Sequence, residues 1–377
     1  MKKTLISILL LSMALPLCAC TVVSPAYASY GKYEISQNMY EYWTAYYKAR
    51  FYSSFAEYGL VDGEYDESVW DQTVDGEKTL AEQITEHVDS LVNEMLVCAQ
   101  IFDRLGLNSD ASVNKQISDT VDGLIKSDMN AAGSRQELNG ILGAYGMNTD
   151  TLRRALEYEA KASVVSDRLF GEGGEHAVTD AEREQYYQSN YHRAKHILIK
   201  NDVKYVLDDK GEPKMNIYTG RYETEELTDA EKAEKQKLAE QILQRCKTGE
   251  DIEALLEDYN EDSGMTVYTD GYFISADSLY DTKYITAVLT SQPGDVQLAE
   301  TSYGLMIIKK YPLDDGLWKN EVNSVFFSDM DANIIAQKKL TVFGEEYKQI
   351  QRNEEYLKGY SLKNIQPLDS RLIYSEQ

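Results

Sequence analysis

Cysteine and histidine are both scarce, with four of each in 377 residues, and neither is arranged for chemistry of its own. The histidines stand at 87, 176, 192 and 196, without a zinc-ligand spacing. The cysteines form no disulfide framework: Cys18 and Cys20 lie in the leading segment, and Cys98 and Cys246 occupy apolar positions of helical repeats. Positive charge is short as well, 38 Lys and Arg against 63 Asp and Glu, for a net charge of −25. Such a surface repels phosphate backbones, so nucleic acid is not an expected partner. Solubility is enough to account for the charge, although it would also hold cationic, unfolded clients close. No metal or other cofactor is expected.

The apolar run at the start is too short to cross a bilayer. Met1-Lys2-Lys3 followed by Thr4 to Leu17 reads instead as the basic and apolar regions of a secretion signal. Two processing sites compete. Leu17-Cys18-Ala19-Cys20 resembles a bacterial lipobox, whereas Ala26-Tyr27-Ala28 suits an ordinary signal peptidase. Cys20 is favoured, because a cysteine at that point of a signal is otherwise unusual, and its lipidation would anchor the protein at the outer face of the cell membrane. Cleavage there removes Lys2 and Lys3 from the 38 basic residues and leaves 36 against 63 acidic ones, net −27.

What remains is long enough for two or three domains, and 43% hydrophobic residues argue against wholesale disorder. Residues 20–35 are mostly small and polar and read as a tether. From Ser36 to Ser189 no stretch alternates with period two, so this region reads as helical throughout. Met39, Trp43, Tyr47, Phe51 and Phe55 recur every four residues with Tyr42 and Tyr46 beside them, an aromatic stripe of the kind that usually packs as core. Asp62 to Thr79 reads as a loop. Ile84, Val88, Leu91, Met95, Cys98, Phe102 and Leu105 then make the clearest helical stripe, closed by Gly106. Further helices follow to Phe170, and the capping box Thr179-x-x-Glu182 opens one more.

Arg193-Ala194-Lys195-His196-Ile197-Leu198-Ile199 reads as a buried strand. Taken alone, a histidine in such a run is most often a packed, hydrogen-bonded core residue. The order of the segments downstream of it gives it another meaning. An expansion at 201–227 with the turn-rich Asp208 to Pro213 suggests a β-hairpin, and Thr228-x-x-Glu231 caps a helix. Then come Gly249-Glu250-Asp251-Ile252, Tyr259-Asn260-Glu261-Asp262-Ser263-Gly264, Asp270-Gly271-Tyr272-Phe273, Gln292-Pro293-Gly294 and Gly304-Leu305-Met306-Ile307-Ile308. This ordered set, from Tyr191 to Pro312, resembles the parvulin family of peptidyl-prolyl isomerases. The helical region before it, with Val178-Thr179-Asp180-Ala181-Glu182 at its end, resembles the N-terminal lobe of the SurA and PrsA-type secreted foldases.

The resemblance implies an α+β protein. A helical chaperone lobe is formed by 36–190 and completed by the C-terminal segment 313–377, and a parvulin-like domain, a small antiparallel sheet with surrounding helices, is inserted at 191–312. It implies catalytic roles for His196, Asp262 and Thr301 and a substrate pocket of Tyr280, Tyr284, Phe273 and Met306. Asp262, in an acidic loop, could equally be solvated or cap a turn. Asp270 falls where the family has an apolar pocket residue. Met306 stands where the second histidine belongs, which leaves His196 without the partner that would fix its tautomer. The expected function is an extracytoplasmic foldase acting on unfolded secreted polypeptides, with weak isomerase activity; the alternative is a non-catalytic chaperone or scaffold on a degenerate parvulin domain. A solute-binding lipoprotein would need repeated strand-helix alternation, which is lacking.

Overall fold

The structure, a computed structural model, describes residues 24–57, 66–73, 78–107, 111–126, 132–216 and 218–372. The expected signal at 1–19 and Cys20 lie outside the described residues. The chain divides into two compact units, one drawn from residues up to Leu169 together with those from Val342 on, the other running from Phe170 to Thr341.

The first unit opens with a hairpin where a tether was expected. Strands β1 (Ala26–Tyr30) and β2 (Tyr33–Ser36) pair antiparallel. Tyr27, Ala28 and Ile35 are buried on it, so the small residues that suggested a linker are those that let a hairpin pack closely. Helix α1 (Gln37–Glu57) follows, then α2 (Leu80–Arg104), α3 (Ala111–Lys126), α4 (Arg135–Gly143) and α5 (Thr149–Phe170). Of the expected aromatic stripe of α1, Met39, Tyr42, Trp43 and Tyr46 are buried and Tyr47 and Phe51 half-buried. Within the expected loop at 62–79, a 3-10 turn at Glu67–Asp71 buries Trp70.

In the second unit, helix α6 (Asp180–Asn190) starts at the Thr179–Glu182 capping box and delivers the chain into β3 (His192–Ile199). The expansion carries β4 (Val203–Tyr205), β5 (Met215–Asn216), β6 (Arg221–Tyr222) and β7 (Thr224–Glu226). It is not one hairpin: β4 pairs with β7 and β5 with β6. Helices α7 (Asp229–Lys247), α8 (Ile252–Tyr259) and α9 (Gly264–Val267) precede β8 (Tyr272–Ile274), then α10 (Thr282–Thr290), β9 (Val296–Thr301) and β10 (Gly304–Tyr311). The four-stranded sheet has the order β8-β3-β10-β9, antiparallel at each junction.

Strand alternation sorts this sheet into two faces. Ile197, Ile199, Leu305 and Ile307 pack with Ile242 of α7 and Leu255 of α8. Ala194, Leu198, Met306 and Ile308 pack on the other face with Ile274 and with Tyr284 and Val288 of α10. His196, two residues from both Ala194 and Leu198, shares this second face. Helix α11 (Met330–Val342) ends the unit. Residues 313–341, expected in the helical lobe, therefore belong to the second unit, as do 170–190. The reason is a shared core: Phe327, Met330 and Ile334 pack with Tyr187, Tyr191 and Phe273.

Beyond it, α12 (Gly344–Tyr347), β11 (Gln351–Arg352) and α13 (Glu354–Gly359) fall in the first unit. There β11 pairs with β1, so the helical lobe also holds a three-stranded sheet, β11-β1-β2. The α+β class stands.

One glycine decides how closely β8 meets β3. Gly271 has φ +100, and a Cβ there would lie 2.7 Å from the Ala194 carbonyl oxygen. Gly271→Ala is expected to push β8 away at a cost of about 2–3 kcal/mol, read as a fall in the urea midpoint at unchanged slope. A midpoint like the wild type would show that the strand pair tolerates the added methyl.

Candidate active site

His196 is fully buried in β3, and both ring nitrogens are engaged. Nε2 lies 2.8 Å from Oδ2 of Asp262 and Nδ1 lies 3.1 Å from the Tyr284 hydroxyl. Asp262 sits in the loop between α8 and α9, held by Asn260. The Asn260 Oδ1 accepts from the backbone N–H groups of Leu198 and Asp262, and its Nδ2 donates to the Asp262 carbonyl at 2.6 Å. That asparagine therefore sews the loop to the strand carrying the histidine.

The Asp262 carboxylate takes two further donors, the Tyr272 hydroxyl at 3.0 Å and the Gly264 N–H at 2.8 Å. The hydrogen bond from His196, with that from Gly264, holds the Asp262 carboxyl down at about 2 despite partial burial. An ionised carboxylate can only accept, so Nε2 carries the hydrogen. In the neutral ring, Nδ1 is then left to accept from Tyr284. Burial raises the Tyr284 hydroxyl well above its ordinary value. Burial, reinforced by the Asp262 charge, does the same for Tyr272, and burial pushes Tyr280 up to about 12. All three stay protonated at neutral pH.

The rings form a wall. Tyr272 and Tyr284 stand edge-on to the imidazole at 5.1 and 5.3 Å between centroids. Tyr280 lies 5.9 Å from Tyr272 and 5.8 Å from Tyr284. A Cβ on Gly264 would fall 2.0 Å from the Tyr272 hydroxyl oxygen, so this position must stay bare for Tyr272 to reach Asp262.

Of the residues expected here from sequence, His196, Asp262, Tyr280 and Tyr284 come together. Tyr284 does so as the hydrogen-bond partner of Nδ1, while the tautomer that the expected loss of the second histidine left open is set from the other side of the ring by the ionised Asp262. Met306 lies beneath, buried, across from Leu198 and packed in the apolar cluster that includes Tyr284. Phe273 points away: strand alternation sends it into the core with Tyr187 and Phe327, and Tyr272 takes the place on the site's face. The Thr301 hydroxyl donates to the Gly304 carbonyl and accepts from the Tyr303 N–H, which ties the β9–β10 turn. The Asp270 carboxylate accepts from Asn320 and Asn323 at 3.0 and 2.9 Å, so it is paired outside the aromatic wall.

Sequence reasoning missed Tyr272, Asn260 and Gly264. Period-two alternation from Phe273 would have found the first. Nothing short of the loop's geometry marks the other two. The arrangement offers no activated nucleophile. It offers a rigid aromatic and apolar surface backed by a closed hydrogen-bond network.

Residues 184–311 match the family profile of the PPIC-type PPIase domain. No match is found among curated proteins. Similar solved structures include PrsA from Bacillus subtilis, at 20% identity over 74% of this chain and 93% of that one, TM-score 0.25. Peptidylprolyl isomerase (PrsA) from Bacillus cereus is 16% identical over 78% and 90%, TM-score 0.28. Foldase protein PrsA from Streptococcus pneumoniae is 13% identical over 80% and 96%, TM-score 0.23.

Because the folded Asp262 carboxyl lies at about 2, below its ordinary 3.8, its contribution is full above pH ~4 and is lost as pH falls toward 2. Urea unfolding between pH 5 and pH 2 should show the wild type losing on the order of 2 kcal/mol more than Asp262→Asn. Parallel pH profiles would show that the His196–Asp262 bond adds nothing to stability.

Proposed function

We propose, from the premise that residues 184–311 are a parvulin-type peptidyl-prolyl isomerase domain, that this protein is an extracytoplasmic folding factor whose second unit isomerises X-Pro bonds in polypeptide clients. Isomerisation breaks no bond; it must overcome amide resonance, a barrier of ~18–20 kcal/mol. A catalyst needs only to hold the proline and favour the twisted amide, whose carbonyl is less polar than the planar one. The observation that carries this reading is the bonding of His196 to Asp262 on one side and Tyr284 on the other, behind an aromatic wall.

In that site the Nε2–H of His196 and the hydroxyl of Tyr272 are both given to Asp262, and the hydroxyl of Tyr284 can be given to Nδ1. Donors that would stabilise the planar, more polar amide are thus turned inward. Tyr280, half-buried at the wall, is the platform for the proline ring, whose C–H groups suit an aromatic face. The first unit is proposed to hold clients. It contains a cavity of about 380 Å³ whose lining includes Trp43, Tyr46, Tyr47, Leu91, Met95 and Leu156. The anchor is proposed at Cys20, from Leu17-x-Ala19-Cys20.

Two measurements test this reading. In an NMR exchange assay with the full chain on a short X-Pro peptide, His196→Ala should lower kcat/KM about 10- to 100-fold and Tyr284→Phe about tenfold, losses of the size expected for a buried positioning network. A wild type no faster than the uncatalysed peptide, which still suppresses aggregation of an unfolded protein, would establish the non-catalytic chaperone instead. Cys20→Ala should move the protein from the membrane fraction to the medium; a wild type already in the medium and starting at Ser29 would mean ordinary signal cleavage.

A further inference from the structure

Tyr272, which donates to the same Asp262 oxygen as His196, stands on the shortest strand of the four-stranded sheet. Strand β8 has three residues, lies at the edge, and among the described residues pairs only with β3. So short an edge strand does not fix a side chain by its ladder alone. Its outer support comes from the two 3-10 turns after β10, at Leu317–Lys319 and Glu321–Phe327, which lie beyond the residues that match the isomerase family.

Three sets of contacts make that support. The Phe326 ring packs 5.3 Å from Tyr272 and 4.8 Å from Tyr268, which itself stands edge-on to Tyr272 at 5.6 Å. Phe327 packs 5.0 Å from Phe273 on the strand's other face. Asn320 and Asn323 both bond to Asp270, two residues before Tyr272, and Asn323 is fully buried with its Nδ2 also donating to the Leu317 carbonyl. The turns are fastened in their turn to α6, where the Glu184 carboxylate accepts from the Gly316 N–H and the Trp318 indole.

We infer that the segment 316–327 is a working part of the isomerase: Phe326 and Asn323 are positioning residues that set Tyr272 against Asp262 and, through Asp262, orient His196. This rests on the isomerase reading above. Without Phe326, one face of the Tyr272 ring meets solvent, its hydroxyl is free to leave Asp262, and a second acceptor position on the carboxylate opens to water. The Nε2–H of His196 would then share Asp262 with a mobile donor in place of a fixed one.

The test uses the full chain and two readouts. The first is isomerisation of an X-Pro peptide. Phe326→Ala should lower kcat about tenfold with KM within twofold of the wild type, and Phe326→Leu, which keeps an apolar body over the ring, should restore most of the rate. Tyr272→Phe should cost a similar factor, and adding Phe326→Ala to it should cost little more, because both act through one contact. The second readout is the downfield proton resonance of the buried Nε2–H, which should be sharp in the wild type and broadened or lost in Phe326→Ala. If Phe326→Ala does not melt cooperatively, Asn323→Ala is measured in its place with the same expectations. A variant with kcat within twofold of the wild type and the resonance intact overturns the inference, as do losses that multiply in the double variant. If the wild type itself shows no turnover, the isomerase reading falls, and the Nε2–H resonance alone decides the positioning: its loss in Phe326→Ala supports it and its persistence overturns it.

Discussion

A single ionised carboxylate organises the site. Asp262 accepts from His196, Tyr272 and the Gly264 N–H at once, and its other neighbours can be read as means of supplying those three donors. Asn260 ties its loop to β3, so that the carboxylate and the imidazole move as one body. Gly264 lacks a side chain because Tyr272 occupies the space a side chain would take, and Gly271 lets the strand carrying Tyr272 approach the strand carrying His196. A buried polar network of this kind is stable only when every member is satisfied, since each unmade bond leaves a desolvated group behind. The constraint on the sequence is therefore spread over loop, strand and helix residues that no single motif contains.

Much of the frame was legible beforehand because it depends on local rules. The capping boxes at Thr179 and Thr228 begin helices as their side chains require. Strand β3 follows from its run of branched apolar residues, and the order of motifs singles out His196 and Asp262, though not their contact. What was not legible depends on which way a strand faces or on what a segment packs against. Phe273 and Tyr272 are adjacent aromatics, and only the register with β3 decides that Tyr272 reaches the site while Phe273 enters the core with Phe327. The tether expected at 20–35 contains a hairpin because Tyr27 and Ile35 find a core to enter, a fact about distant residues. The segment 313–341 reads as helical and apolar in either unit; its membership turns on Phe327 and Met330 meeting Tyr187.

The substitution of methionine for the family's second histidine looks from the sequence like the loss of a partner. In three dimensions Nδ1 of His196 still has a partner, the Tyr284 hydroxyl. Nδ1 of His196 needs a donor within reach on the face shared with α10, and a residue on β10 is not the only one that can supply it. Tyr284 reaches the same nitrogen from the helix, and its ring stands edge-on to the imidazole, which a histidine two strand positions away need not do. Met306, freed from that duty, fills apolar volume beside Leu198 and Ile308, a use well suited to an unbranched, polarisable side chain. The exchange alters the chemistry of the site in one respect. A histidine pair can share and shift a proton near neutral pH, whereas the Tyr284 hydroxyl, raised far above its ordinary value by burial, holds its proton across that whole range. With Asp262 ionised, His196 donates at Nε2, and the Tyr284 hydroxyl is the partner of Nδ1. An arrangement held this way suits the proposed isomerisation, in which no proton is transferred.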